Sequence, residues 1–401
     1  MSGIVIIGAG QAGSSLAIKL RALGYQGTVT LIGEEPYAPY QRPPLSKTYL
    51  LGEMALERLY LRPEEVYRDQ NIELRLGTQV TAIDPVAQVI SLGAETLSYD
   101  QLALTTGSTP RLLPEAIGGR LQNVFAVRGL ADVDAMRPAF ERGGHVLIIG
   151  GGYIGLEAAA VAAKRGLKVT LVEMADRILQ RVACAETSDY FRALHQSHGV
   201  TLLEGVGLSS LTGTEHVTGA ILSNGATLDI DFALVGVGIQ PNTQLADAAG
   251  LTLNNGIETN ALGQTSQSKI WAAGDCASFP YQGERIRLES VPNAIDQAEV
   301  VAANMLGAQK AYHATPWFWS DQYDVKLQIS GLNQGFENVV TRIGEAGRSH
   351  WYYKAGQVLA VDAMNDPRAY MVAKRLIEAG KTADSALVAD PGSNLKALLR
   401  G

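Results

Sequence analysis

The sequence predicts an α/β protein with two Rossmann-like dinucleotide-binding domains, the second inserted in the first, and a C-terminal α+β domain. Three observations predict it. The segments IVIIGAGQAG (4–13) and VLIIGGGYIG (146–155) repeat one pattern, a β-branched run that breaks into G-x-G-x-x-G. Each copy is followed by an alanine-rich helical stretch and a near-identical second strand, VTLIGEE from Val29 and VTLVEMA from Val169. After the second copy, the apolar strands ALVGVGIQPN (233–242) and IWAAGDCASF (270–279) return to the style of the first domain. The character changes once more near Tyr312, where the aromatic run PWFWSDQ leads into alternating strands and a final helix, AYMVAKRLIEAG. The expected boundaries are 1–110 with 235–314 for the first domain, 111–234 for the insert and 315–401 for the third.

Each glycine of the repeated pattern has its own task. The first (Gly8, Gly150) makes the tight turn out of the strand, and the second (Gly10, Gly152) lets backbone approach a pyrophosphate. The third (Gly13, Gly155) lets the helix pack closely on the sheet, and the helix N-terminus offers unpaired N–H groups and a positive dipole end to phosphate. An acid ending the second strand accepts hydrogen bonds from a ribose diol. In the second copy this is Glu173, and a carboxylate there disfavours a 2′-phosphate, so NAD(H) is expected over NADP(H). Arg177 stands nearby as the one feature pulling the other way. In the first copy Gly33 occupies that register, leaving Glu34 or Glu35 as the ribose ligand.

Composition narrows the class. The 401 residues are 46% apolar and 18% charged, with 43 glycines, suiting a protein of two or three domains with many close backbone approaches. A formal charge of −7 without a basic tail argues against nucleic acid as a partner. No apolar run has membrane-spanning length, and a first strand beginning by Ile4 leaves no room for a targeting peptide, so a cytoplasmic location is expected. The two cysteines, Cys184 and Cys276, lie far apart and form no C-x-x-C, which argues against a disulfide framework, a zinc ribbon, a cysteine-bound cluster or a redox-active disulfide. His195 and His198 share a helical stretch (YFRALHQSHGV) that suits a helix C-terminus better than a metal site, so no metal is expected.

Further segments carry chemistry. PYQRPPLSK (39–47) sets Arg42 and Lys47 on a proline-stiffened path, and IWAAGDCASF ends in the carboxylate of Asp275. Together with TTGSTPR, GGGYIGLE, GVGIQPN, ESVPNAIDQA and PWFWSDQ, these motifs resemble, over nearly the whole chain, the FAD-dependent, NADH-linked ferredoxin and rubredoxin reductases. That is the putidaredoxin-reductase and aromatic-ring dioxygenase reductase kind, which shares its core architecture with apoptosis-inducing factor. The resemblance implies that Gly8, Gly10 and Gly13 hold the FAD pyrophosphate and Glu34 its adenosine ribose. Arg42 and Arg111 lie along the FAD, Asp275 bonds the ribityl chain, and the helix start around Val291 faces the pyrimidine ring. NADH is assigned to Gly150, Gly152, Tyr153, Ile154, Gly155, Glu173 and Gly238. Lys47 is implied to sit by the flavin paired with Glu157, a residue one turn into a helix and costly to bury alone. Trp319 resembles the aromatic residue between the flavin edge and a docked partner.

The implied reaction is hydride transfer from NADH to FAD, then single electrons to a [2Fe–2S] ferredoxin or a rubredoxin that feeds a monooxygenase or dioxygenase. A monomer or weak homodimer is expected, and Arg287, Lys326, Arg368, Lys374 and Arg375 are the cations from which a docking patch would be drawn. Other readings of the same scaffold are an NADH oxidase, peroxidase or quinone reductase, a monodehydroascorbate reductase, or a redox interaction protein of the apoptosis-inducing-factor type. Against a peroxidase, the RPPLSK loop has no cysteine.

Overall fold

The computed structural model describes residues 3–345 and 347–400. Backbone contacts divide the chain into two units. One comprises residues 1–42, 55–109 and 239–316, the other 43–54, 110–238 and 317–401.

The first unit is built on a five-stranded parallel sheet in the order Ile270–Ala272, Gln101–Leu104, Ile4–Ile7, Val29–Ile32, Ile72–Arg75. Its first strand is apolar at every position because both faces are covered. Ile4 and Ile6 pack with Leu16 and Leu20 of helix Gln11–Ala22 and with Val301 of helix Val291–Met305, while Val5 and Ile7 face Leu102, Leu104 and Ile270. The glycine loop lies at the carboxyl end of the central strand, between its two parallel neighbours, which is where open α/β sheets bind ligands.

The second unit repeats the arrangement in the order Thr201–Glu204, Lys168–Glu173, His145–Ile149, Phe232–Val235, Val124–Ala126, again all parallel. Helix Tyr153–Lys164 follows its glycine loop. The unit also holds a five-stranded antiparallel sheet of residues Trp317–Gln322, Val325–Gly331, Gln357–Met364, Arg348–Lys354 and Asn338–Ile343. Helix Pro367–Glu378, capped by the Asp366 carboxylate on the Ala369 N–H, lays Ala369, Val372, Ala373 and Leu376 against Trp351 and Val361 of that sheet. No described helix is long and apolar enough to cross a membrane.

Segment 43–54 groups with the second unit although the sequence places it in the first domain. Long-range bonds hold it there. The Tyr49 hydroxyl meets Asp134 at 3.0 Å, Arg165 donates to the Leu51 carbonyl, and Lys164 pairs with Glu53 at 2.8 Å.

Candidate functional site

In both glycine loops the space around each glycine shows what a Cβ there would meet. At Gly8 (φ +112°) it would lie 2.2 Å from the Thr105 carbonyl oxygen, and at Gly150 (φ +109°) 2.4 Å from that of Gly236. At Gly13 and Gly155 it would strike the carbonyl oxygen of Gly8 or Gly150, at 2.0 and 2.1 Å. At the middle glycines, Gly10 and Gly152, it would meet no protein atom within 4 Å. Their backbones are extended, at φ −92°, ψ −160° and φ −82°, ψ −179°, so neither conformation nor packing requires glycine. What remains is space in front of a helix whose first turn carries no acid and no side-chain cap. Both loops therefore fit a phosphate approaching the backbone N–H groups.

In the first unit, the Thr105 hydroxyl stands 2.8 Å from the Gly8 carbonyl and 3.0 Å from that of Ile7, fixing the loop. The two acids after the second strand differ in commitment. Glu35 pairs with Arg42, at 2.5 Å, and takes the Tyr40 hydroxyl at 2.6 Å, whereas exposed Glu34 receives, among the described residues, only a long bond, 3.3 Å, from Gln79. Glu34 is thus the acid offered outward, and Arg42 is positioned by Glu35 and by the Tyr40 ring. Asp275 accepts from the Ser108 hydroxyl at 2.8 Å. The helix beginning at Val291 is partly self-capped, since Ser290 Oγ accepts the Asn293 N–H at 3.3 Å. On the same helix the buried Gln297 amide accepts from the Gly274 N–H at 2.8 Å while its Nε2 has no partner among the described residues. A buried donor without a partner is costly, and this one suits a bound polar group.

In the second unit, Glu173 Oε2 accepts the Gly151 N–H at 2.7 Å and Oε1 the Ala175 N–H at 2.8 Å, which sets the carboxylate beside the glycine loop. Arg177 is turned away, with Nη1 donating to Ser188 Oγ at 2.5 Å and to the Cys184 carbonyl at 3.1 Å. Its guanidinium is spent on the start of helix Ala185–Ser197 and does not offset Glu173. Exposed Ile154 lies in the first helical turn, and half-buried Tyr153, which opens that turn, packs on Phe318 with ring centroids 4.9 Å apart. Gly238 (φ +99°) accepts the Arg111 N–H at 2.9 Å, leaving the Arg111 side chain exposed.

Lys47 and Glu157 meet. Lys47 Nζ lies 3.0 Å from Glu157 Oε1, and Asp321 stands 3.9 Å from the same ammonium. The Glu157 side chain is only 6% exposed and takes two further donors, Ser320 Oγ at 2.7 Å on Oε1 and Ser46 Oγ at 2.9 Å on Oε2. Burial pushes this carboxyl up, while Lys47 and the two hydroxyls pull it back down. The sequence reading missed Ser46 and Ser320, although each adjoins a residue it singled out, Lys47 and Trp319. Trp319 is half-buried on the edge strand with its ring 5.6 Å from that of Trp317, whose face also carries Lys374 Nζ at 5.1 Å. Arg287 is a correction to the docking set. Its side chain is 9% exposed, bonded to Glu289 and to the Asp275 carbonyl, so it braces a loop and offers no charge to a partner.

His195 is buried within its helix and bonded to Gln322, and burial lowers its pKa to about 4. No group of three or more potential metal ligands occurs among the described residues. Both cysteines are free and buried, and burial pushes both thiols up.

Comparison with known proteins adds the family. Residues 2–298 match pyridine nucleotide-disulphide oxidoreductase and residues 317–399 match the reductase C-terminal domain. The chain belongs to the pyridine nucleotide-disulphide oxidoreductase family. It is 40% identical to putidaredoxin reductase CamA of Pseudomonas putida, covering 99% of this chain and 96% of the relative, and 39% identical to rhodocoxin reductase of Rhodococcus erythropolis, covering 98% and 93%. Among solved structures, the covalent putidaredoxin reductase–putidaredoxin complex aligns with a TM-score of 0.95 at 39% identity, covering 100% of this chain and 98% of that one. The protein is an FAD-dependent oxidoreductase using NADH, and the two glycine cradles fit those two dinucleotides.

Proposed function

We propose that this protein takes electrons from NADH through FAD and delivers them one at a time to a small iron–sulfur carrier, a [2Fe–2S] ferredoxin or a rubredoxin, that feeds a monooxygenase or dioxygenase. FAD, when bound, supplies the conversion between a two-electron donor and a one-electron acceptor. One observation carries the exit route. In a family named for disulfide chemistry, this chain has two cysteines, both buried and free, one in each unit. No thiol pair exists to take the electrons onward, so an external acceptor must.

The residues divide that work. Gly8, Gly10 and Gly13 cradle the FAD pyrophosphate, Glu34 takes the adenosine ribose, Asp275 the ribityl chain, and Arg42, Arg111 and the helix start at Val291 line the remainder. Gly150, Gly152, Tyr153, Ile154, Gly155, Glu173 and Gly238 hold NADH, and Glu173 selects against a 2′-phosphate. Glu157 fixes the Lys47 ammonium at the reacting end, and Trp319 is the aromatic contact for the acceptor. Exposed Arg368 and Arg375 on the last long helix, with Lys326, form the basic part of the docking surface. In this reading 1–110 with 235–314 is the FAD domain, with segment 43–54 lent to its neighbour, 111–234 the NAD domain, and 315–401 the acceptor-facing domain. The protein acts in the cytoplasm.

The test is NADH oxidation by the FAD-loaded protein with a panel of acceptors, comprising [2Fe–2S] ferredoxins, a rubredoxin, a quinone, peroxide and oxygen. Fast, saturable reduction of one iron–sulfur protein that weakens as salt rises is the expected result. Fast quinone or peroxide turnover, with no protein acceptor reduced, overturns the reading.

A further inference from the structure

One strand of the second unit does two things. Along Trp317–Gln322, Trp317 and Trp319 alternate with Ser320 and Gln322, which are fully buried. From Ser320 a chain of hydrogen bonds runs outward. Gln322 Nε2 lies 3.2 Å from Ser320 Oγ, Gln322 Oε1 lies 2.8 Å from His195 Nε2, and His195 Nδ1 lies 3.1 Å from the Tyr323 hydroxyl. Tyr323 stacks on exposed His198 with centroids 3.7 Å apart.

Donor chemistry fixes every direction along this chain. Ser320 has one hydroxyl proton, and it is donated as a hydrogen bond to the Glu157 carboxylate. Ser320 Oγ must then accept from the Gln322 amide N–H, which turns Gln322 Oε1 toward His195. That oxygen only accepts, so His195 carries its proton on Nε2. The imidazole is neutral, because burial lowers its pKa to about 4, so Nδ1 accepts from Tyr323. Every donor from the surface inward points at Glu157, and such aligned bonds polarise one another. Protonating Glu157 would give the carboxyl a donor of its own facing hydroxyls that already donate, and any reversal would have to run outward to Tyr323.

We propose that Ser320, Gln322 and His195 are positioning residues that keep Glu157 ionised, through a one-directional hydrogen-bond chain, and thereby hold the Lys47 ammonium in place. The charged group acting on Glu157 is Lys47, from the segment following the Pro43–Ser46 turn, and Asp321 reaches the same ammonium from the strand. The use of that ammonium at the reacting end rests on the proposed function, whereas the ionisation state of Glu157 does not.

The experiment uses the full-length, FAD-loaded protein in two arms. In the first, ¹⁵N resonances of the histidines, assigned with H195Q, report the His195 tautomer near neutral pH. Neutral imidazole protonated on Nε2 is expected, and protonation on Nδ1 overturns the proposal. In the second, infrared spectra of protein carrying ¹³C-glutamate follow the Glu157 carboxyl through a pH titration, identified by its absence in E157Q. S320A is expected to raise its midpoint by about one pH unit, a tenfold gain in proton affinity. Q322M should raise it less, and S320T should restore it. A midpoint unmoved in S320A and Q322M, even with a lowered melting temperature, refutes the chain, as does an equal rise in S320T. Neither arm uses a protein acceptor, so failure of the reductase reading would be told apart from failure of this one.

Discussion

Replacing the middle glycine of each loop by alanine separates ligand space from folding. At Gly10 and Gly152 the backbone is already extended and an added methyl meets no protein atom within 4 Å. Alanine there costs the fold only the small preference for glycine over alanine before a helix, up to about 1 kcal/mol. At Gly13 the same methyl would sit 2.0 Å from the Gly8 carbonyl oxygen, and at Gly155 2.1 Å from that of Gly150, so helix and strand must move apart. A pyrophosphate in front of Gly10 would be pushed off the backbone by the methyl. Losing one charge-assisted hydrogen bond costs roughly 1.5–3 kcal/mol, which is a tenfold to 150-fold weaker Kd. G10A should therefore fold with a near-native melting temperature as apoprotein yet bind FAD at least tenfold more weakly, by flavin fluorescence. G152A should keep FAD and lose NADH affinity by a similar factor, while G13A and G155A should fail in stability first. Native FAD affinity in G10A together with native NADH affinity in G152A would refute the assignment of both loops.

Other substitutions test the remaining parts. Lys47→Met leaves Glu157 buried against two hydroxyls, and breaking such a pair costs about 3–5 kcal/mol. Burial already holds the folded Glu157 carboxyl above its usual range and losing Lys47 raises it further, so the folded state binds the extra proton. The loss should be largest at alkaline pH and shrink as pH falls, read by urea denaturation across that range. Glu173→Ala should raise the NADH Kd about tenfold and narrow the preference over NADPH, measured by titration. Trp319→Ala should slow turnover with the iron–sulfur acceptor at least tenfold while sparing ferricyanide reduction by NADH. Asp362 is buried and pushed up to about 6 by burial, although Tyr352 and Thr187 donate to it. Its folded pKa exceeds the unfolded value of about 3.9, so stability should fall by roughly 3 kcal/mol as pH rises from about 4 to above 6. Asp362→Asn should flatten that slope in chemical denaturation.

What the sequence disclosed and what it hid follow from where each constraint acts. The two cradles were legible because a tight turn, a phosphate and a close helix each demand glycine, and three such demands at fixed spacing leave a pattern of their own. The Glu157–Lys47 pair was legible by another route, since a carboxylate one turn into an apolar helix needs a cation and the resemblance supplied which one. Ser46 and Ser320 were hidden because serine is common in turns and on strands, and nothing local separates a hydroxyl aimed at a buried carboxylate from one in water. The same holds for Arg177 and Arg287. Composition shows a charge, while only the fold shows that Ser188 and Glu289 have claimed it. That segment 43–54 groups with the second unit was hidden for a related reason, because what holds it are bonds to Asp134, Glu157 and Arg165, more than 80 residues away. Local backbone demands write themselves into sequence, but long-range polar partnerships do not. It follows that the residues tuning the Lys47–Glu157 pair should be sought among the small polar side chains that the strand bearing Trp319 turns inward, where Ser320 and Gln322 lie.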